Sequence, residues 1–183
     1  RVQTDRMGAI VGKVRSYAKS DLKHFERMDP VEVLVSVLEN LKKSGELDGI
    51  EIRLNTSSSK KAEIEGHRLE LEIVFSNILN NSLKAIKAIQ KPEIRISVTQ
   101  DLKGHCVISF SDNGPGVSER ALEDLRMTTP LTSSTGLGLG LTIAKGIVEE
   151  HRGKILFSLS QSGSLIVEVI LPLLSFGENT EDE

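Results

Sequence analysis

Between Arg1 and about Lys23 the apolar residues Met7, Ile10, Val14 and Tyr17 recur at spacings of three, four and three. That rhythm draws a narrow stripe down a helix, as in the seam of a coiled coil or helical bundle. A single amphipathic helix packed on its own domain would show the same stripe. Because the segment precedes every other element, a bundle or dimer helix is the preferred reading. Asp29-Pro30-Val31-Glu32 then opens a second helix: Asp29 can cap it, Pro30 suits its first position, and Glu32 completes a capping-box pattern. Leu34, Val35, Leu38 and Leu41 supply its buried stripe, and Ser44-Gly45 ends it. Ile50, Ile52 and Leu54 alternate as in a half-buried strand. A polar, serine-rich loop over Thr56–Lys61 leads to a short strand around Ala62–Glu65, stopped by Gly66.

A long helix is predicted from about Arg68 to Ile89, with Pro92 closing the region. Glu93–Gln100 and Cys106–Ser111 alternate as strands, and Gly104 turns them into a hairpin. A short helix near Ser118–Arg126, a polar stretch over Thr128–Thr135 and a helix from about Leu139 to His151 follow. Lys154–Leu159 and Leu165–Leu171 form a last hairpin, and the tail from Ser175 is acidic. Hairpins mixed with helices, without strict strand–helix alternation, predict an α+β fold. The expected architecture is a two-layer α/β sandwich, its mixed sheet covered by helices on one face and preceded by the long amino-terminal helix.

Composition narrows the partners. The 183 residues allow one compact domain with a helical appendage, and a formal charge of −3 leaves no basic footprint for nucleic acid or an anionic membrane. No apolar run approaches the roughly 20 residues of a membrane helix, and the amino end carries no signal-peptide pattern. The single cysteine, Cys106, excludes an internal disulfide and, lying in a strand, reads as a buried thiol. The four histidines are scattered without metal-ligand spacing.

Three segments carry candidate chemistry. On the long helix, Asn77, Asn81 and Lys84 are four and three apart and share one face, while Phe75, Ile78, Leu79 and Ile86 populate the other. Asparagine is a mediocre helix former, so its recurrence has either a solvated face or a ligand as its reason. A neutral amide oxygen can ligate Mg²⁺ beside phosphates without adding negative charge, and the lysine can meet phosphate. The second segment, Ser111-Asp112-Asn113-Gly114-Pro115-Gly116-Val117, ends an apolar strand. It is either a plain turn or a carboxylate placed to accept from the amine of adenine, with Gly114 and Gly116 letting backbone approach a planar base. The third, Thr135-Gly136-Leu137-Gly138-Leu139-Gly140-Leu141-Thr142, opens a helix after a polar loop. Its glycines either allow close helix packing or converge backbone N–H groups on phosphate. No Gly-Lys-Ser/Thr follows, so it is not a Walker loop. Its third glycine comes one residue too early for a dinucleotide fingerprint.

In this order the three segments resemble the asparagine box and the two glycine boxes of the histidine-kinase ATPase domain, a Bergerat-type fold shared with gyrase-like ATPases. The resemblance runs from about Asp29 to Leu174. It includes Thr142–His151 as the helix after the second glycine box, and the closing strand into Leu171-Pro172-Leu173. It implies ATP and Mg²⁺ as cofactors, with Asn81 as the metal ligand and Asn77 and Lys84 on the phosphate side. Asp112 would read adenine in a pocket shaped by Gly114 and Gly116. Gly136, Leu137, Gly138, Leu139 and Gly140 would hold the lid over the phosphates. The implied division is a partial dimerisation helix over 1–28, the ATP-binding domain over 29–174, and an acidic tail over 175–183.

Two departures stand out. Leu125–Thr132 contains no aromatic where the family often has an aromatic box, and Arg152-Gly153 replaces a common pair of glycines. In this family the acceptor histidine is followed by an acid. His24 is followed by Phe25, so it reads as a junction residue, and the acceptor is expected upstream, outside this chain. The implied activity is a transmitter kinase of a cytoplasmic two-component pathway. It would act as a homodimer through the first helix, with a response-regulator receiver domain as partner and no membrane contact by this segment. An anti-sigma-type serine kinase and a non-catalytic nucleotide-binding signalling module are the alternatives.

Overall fold

The computed structural model describes residues 25–56, 61–127 and 138–174. The amino-terminal helix expected over 1–23, most of the serine-rich loop, the polar stretch after Met127 and the acidic tail lie outside the described residues.

The described chain opens with β1 (Glu26–Met28), which pairs antiparallel with β3 (Ile64–Gly66). Nothing in the hydrophobic pattern announces β1. Three polar-rich residues adopt a strand only because Ile64–Gly66 offers them an edge to pair with.

Helix α1 (Pro30–Lys43) starts as its sequence dictates. Asp29 is extended and accepts a 2.9 Å hydrogen bond from the Val31 N–H, while Pro30 fills the first turn. The reciprocal half of the capping box does not form, because the Glu32 carboxylate pairs with Lys61 Nζ at 3.2 Å. The buried face of α1 is Val33, Leu34, Val37 and Leu41, and Val35 is 36 % exposed. The expected stripe through Val35 is thus rotated toward the i, i+4 row that meets the following helix.

That helix, α2 (Arg68–Ala85), ends four residues before the expected Ile89. Ile86 and Ile89 keep helical spacing, but the Ile89 N–H bonds Ile86 O in a turn while the Ile86 side chain drops into the core at 1 % exposure. The main sheet has the order β2 (Glu51–Thr56), β4 (Glu93–Gln100), β5 (His105–Asp112), β7 (Leu165–Pro172), β6 (Lys154–Leu159). Only β2 and β4 run parallel, which makes the sheet mixed. α3 (Glu119–Met127) packs beside β6, and α4 (Gly138–Glu150) packs along α2. Ile96, Val98, Ile108, Phe110, Val167 and Val169 fill the helix side of the sheet, and Phe75 of α2 meets Phe110 with ring centroids 6.0 Å apart. The other face carries Glu51, Arg53 and Arg95, bridged through Glu93.

Gly153 follows Arg152, whose φ of 57° is the left-handed conformation that commonly ends a helix and that glycine adopts with less strain. The arginine therefore sits where the resembled family's extra glycine would be the relaxed choice.

Cys106 is fully buried on β5, and burial first, then the Asp29 charge, pushes its thiol from the ordinary 9.0 up to about 12. The folded state favours the neutral thiol, so this contribution to stability is complete below pH 9 and is lost as pH rises toward 12. We expect the denaturation midpoint of the protein to fall more steeply over that window than that of Cys106→Ala. Parallel pH profiles for the two proteins would rule the effect out.

Candidate functional site

The alternation of β5 builds one wall of the site. Cys106, Ile108 and Phe110 face the helices, so Asp112, two residues on, faces them too, opposite Ile94 in the pairing register. There the strand ends. The Gly114 N–H turns back to donate to Asp112 Oδ1 at 2.9 Å. Asn113 plays a different part: its Oδ1 accepts from the Glu93 N–H at 2.9 Å, and its Nδ2 donates to Lys91 O at 2.7 Å. It staples the loop to the start of β4.

The glycines of this loop are demanded by contact. A Cβ at Gly114 would lie 2.8 Å from Asp112 Oδ1 and 3.0 Å from the Ala85 Cβ at the end of α2. Gly116, at φ 75°, presses against the Gly163 carbonyl in the β6–β7 turn, where no side chain fits. Next to that turn Ser164, only 6 % exposed, donates its hydroxyl to Gly114 O at 3.2 Å.

α2 forms the facing wall. Asn81, Lys84 and Ala85 line a cavity of about 240 Å³ together with Asp112, Pro115 and Gly116 of the loop and the apolar Val117 and Leu165. Its lining offers a carboxylate beside apolar side chains, suited to a planar, amine-bearing base. It also offers the Asn81 amide and the Lys84 ammonium, suited to anions. Asn77, one turn earlier, lies outside the cavity lining, between α2 and α4. A Cβ on Gly140 would be 3.2 Å from Asn77 Oδ1, and Asn77 Nδ2 is buried without a hydrogen-bond partner. A buried donor left unpaired is costly, and this one lies beside the first turn of the glycine-rich helix. Gly138, Leu139 and Gly140 form that turn of α4, whereas Gly136 and Leu137 lie outside the described residues.

The donor set fits Mg²⁺ only as a shared site. Among the described residues no three His, Cys, Asp or Glu side chains gather to hold a metal. An ion beside Asn81 would therefore draw most of its ligands from phosphate oxygens and water, the coordination that Mg²⁺ favours in nucleotide sites.

A second cavity, of about 480 Å³, lies at the opposite end of α4, between Phe25, His151 and Leu173. It is the larger of the two, and its histidine is held structurally. His151 Nδ1 donates to Ile147 O at 2.8 Å, and its Nε2 accepts from the His67 N–H at 2.9 Å. With both nitrogens occupied and Phe25 packed on its ring at 5.0 Å, His151 joins three elements and has no base to offer.

Sequence reasoning passed over Ala85, Val117, Leu165 and Ser164. Ala85 and Val117 end the first and second segments without a role of their own, whereas Ser164 and Leu165 belong to no motif and reach the site only because the last hairpin approaches the Asp112 loop.

A mixed sheet under a helical layer, with an asparagine-bearing helix facing a glycine loop, is the arrangement that the resemblance to gyrase-like ATPases implies. Residues 66–175 match the family model described as histidine kinase-, DNA gyrase B-, and HSP90-like ATPase. The chain belongs to that family. Among curated proteins it is 31 % identical over 165 residues to the C4-dicarboxylate transport sensor protein DctB of Rhizobium meliloti, covering 88 % of this chain and 26 % of that protein. It is 28 % identical over 170 residues to sporulation kinase C of Bacillus subtilis, covering 93 % and 39 %. The chain thus spans well under half the length of either. Among solved structures, the catalytic domain of the histidine kinase ThkA superposes with a TM-score of 0.69 at 22 % identity, covering 81 % of this chain and 97 % of that one. ThkA in complex with the response regulator TrrA gives 0.72 at 20 %, covering 94 % and 48 %.

Proposed function

We propose that this chain is the ATP-binding catalytic part of a two-component sensor histidine kinase. It transfers the γ-phosphoryl of ATP to a histidine outside this chain, from which it passes to the receiver domain of a response regulator. The observation that supports this reading most directly is the single cavity shared by Asn81 and Lys84 of α2 and by Asp112 and Gly116 of the glycine loop. In it Asp112 accepts from the adenine amine, Lys84 offsets phosphate charge, and Asn81 supplies a neutral oxygen to Mg²⁺. Asn77 and the Gly136–Gly140 backbone, with Leu137 and Leu139 between the glycines, complete the phosphate side. When bound, Mg²⁺ neutralises charge on the phosphates. The protein's own contribution is to position them.

The division that goes with this is a dimerisation segment over 1–28, of which Glu26–Met28 form β1, an ATP-binding domain over 29–174 and a tail over 175–183. Dependence on ATP and on a receiver domain assigns the work to the cytoplasm. No helix among the described residues is long and apolar enough to cross a membrane.

Given ATP and Mg²⁺, the chain is expected to phosphorylate a separately supplied hairpin polypeptide of its parent kinase and to place no acid-labile phosphate on itself. Label on His24 would sink the claim that the acceptor lies elsewhere. Nucleotide binding without transfer to the hairpin would favour the non-catalytic signalling module.

The parent kinase works as a homodimer through the Met7, Ile10, Val14 and Tyr17 stripe. Sedimentation should show self-association of the chain that is lost in a version starting at Asp29. A strictly monomeric parent at high concentration contradicts it.

A further inference from the structure

The geometry points to Ser164 as a positioning residue that sets the base selectivity of the nucleotide site by holding the Asp112 carboxylate through Gly114. The inference rests on the proposed reading of Asp112 as the adenine contact. Ser164 belongs to no motif, and nothing in its neighbourhood along the chain marks it as functional.

Its surroundings do. The Ser164 hydroxyl donates to Gly114 O at 3.2 Å, and the Gly114 N–H donates to Asp112 Oδ1 at 2.9 Å. Gly114 is thus held on its carbonyl side by the serine and grips the carboxylate with its amide. It has no slack elsewhere, since even a Cβ there would meet Asp112 Oδ1 and Ala85. With Oδ1 engaged, the Asp112 carboxylate is restrained about its last bond, and its second oxygen remains to serve the cavity that Asp112 lines. A carboxylate free to rotate about its last bond would instead spread its acceptor over many directions.

The serine is itself anchored. Its N–H donates to Ser160 Oγ at 3.0 Å, and the Ser160 N–H returns a bond to Ser164 O at 2.8 Å. The Ser160 and Ser162 hydroxyls lie 2.8 Å apart, which closes the turn on itself. Gly116 against the Gly163 carbonyl locks the same two loops together at a second point. The β6–β7 turn therefore acts as a rigid post, and Ser164 is its polar contact with the base-reading loop.

A site of this kind discriminates by an acceptor aimed at a donor. Adenine carries an amine at position 6, whereas hypoxanthine carries a carbonyl there, which an aimed carboxylate repels. Loosening Asp112 should cost affinity for the amine-bearing base and cost the carbonyl-bearing base none, since for that base it relieves a repulsion. A residue that merely stabilised the fold would shift both nucleotides together.

The test is calorimetric affinity of the full chain for ADP and IDP, in the unaltered protein and in Ser164→Ala, Ser164→Cys and Asp112→Asn. The unaltered protein should prefer ADP by about tenfold or more, the worth of a hydrogen bond to a charged group. Ser164→Ala should weaken ADP about fivefold, the net worth of one neutral hydrogen bond, with no loss for IDP. Ser164→Cys keeps nearly the same shape with only a weak donor, should behave alike, and carries the test if the alanine variant does not fold. Equal losses for both nucleotides, or no loss for either, overturn the inference. Asp112→Asn separates the two layers. If it leaves the ADP-to-IDP ratio intact, the adenine assignment itself is wrong. If it collapses the ratio while the Ser164 variants do not, only the positioning role fails.

Discussion

Asp112→Ala is expected to weaken ATP and ADP alike by roughly ten- to a hundredfold, because the lost contact is to the base that both share. A hydrogen bond to an ionised carboxylate is worth about 1.5–3 kcal/mol, and about 1.4 kcal/mol is a factor of ten. Two effects add in the same direction. The cavity loses the only carboxylate among its described lining residues, and the Gly114 N–H loses the acceptor that holds it at 2.9 Å. Mg²⁺ dependence should survive, because Asn81 and Lys84 stand on the facing helix. Calorimetry with and without Mg²⁺ measures both quantities. An unchanged affinity for ADP would remove Asp112 from the site.

Gly116→Ala should be the most damaging single-methyl change in this region. It combines two penalties that another glycine separates. Gly116 and Gly104 both have φ in the left-handed region, 75° and 80°, but only Gly116 has neighbours where a Cβ would go. At Gly104 nothing lies within 4 Å, so alanine there costs the backbone strain alone, about 1 kcal/mol. At Gly116 the new methyl would strike the Gly163 carbonyl, whose carbon lies 2.7 Å from the Cβ position. Both atoms belong to backbone, so no side-chain rotation relieves the clash, and overpacking adds roughly 1–3 kcal/mol. We therefore expect a loss of about 2–4 kcal/mol for Gly116→Ala, with nucleotide binding impaired because the Asp112 loop must move away from the β6–β7 turn. Thermal denaturation of the two alanine variants side by side decides it. Equal losses would mean that the two loops are not interlocked.

Much of the fold was legible because it is governed by local periodicity. Glu93–Gln100 and Lys154–Leu159 were read with their observed ends, since alternation and a flanking turn leave little freedom. The start of α1 was legible for the same reason, as Asp29 and Pro30 act within one turn. The errors lie where a distant partner competes with a local rule. Glu32 leaves its capping box for Lys61, α2 stops early because Ile86 finds the core, and β1 exists only through β3.

The site divides along the same line. Sequence alone placed Asn77, Asn81 and Lys84 on one helical face and put a carboxylate at the end of an apolar strand, because spacing on a helix and alternation on a strand are properties of the backbone. Spacing alone could not decide whether the two walls meet, which only the family resemblance implied. The tertiary structure brings Asn81, Lys84, Asp112 and Gly116 to one cavity, leaves Asn77 between α2 and α4, and occupies Asn113 with the start of β4. Ser164 and Leu165 enter only there, since they reach the Asp112 loop across about fifty residues of chain. Contacts of that range depend on how sheet order folds the last hairpin against β5, and no local pattern of residue types encodes that order.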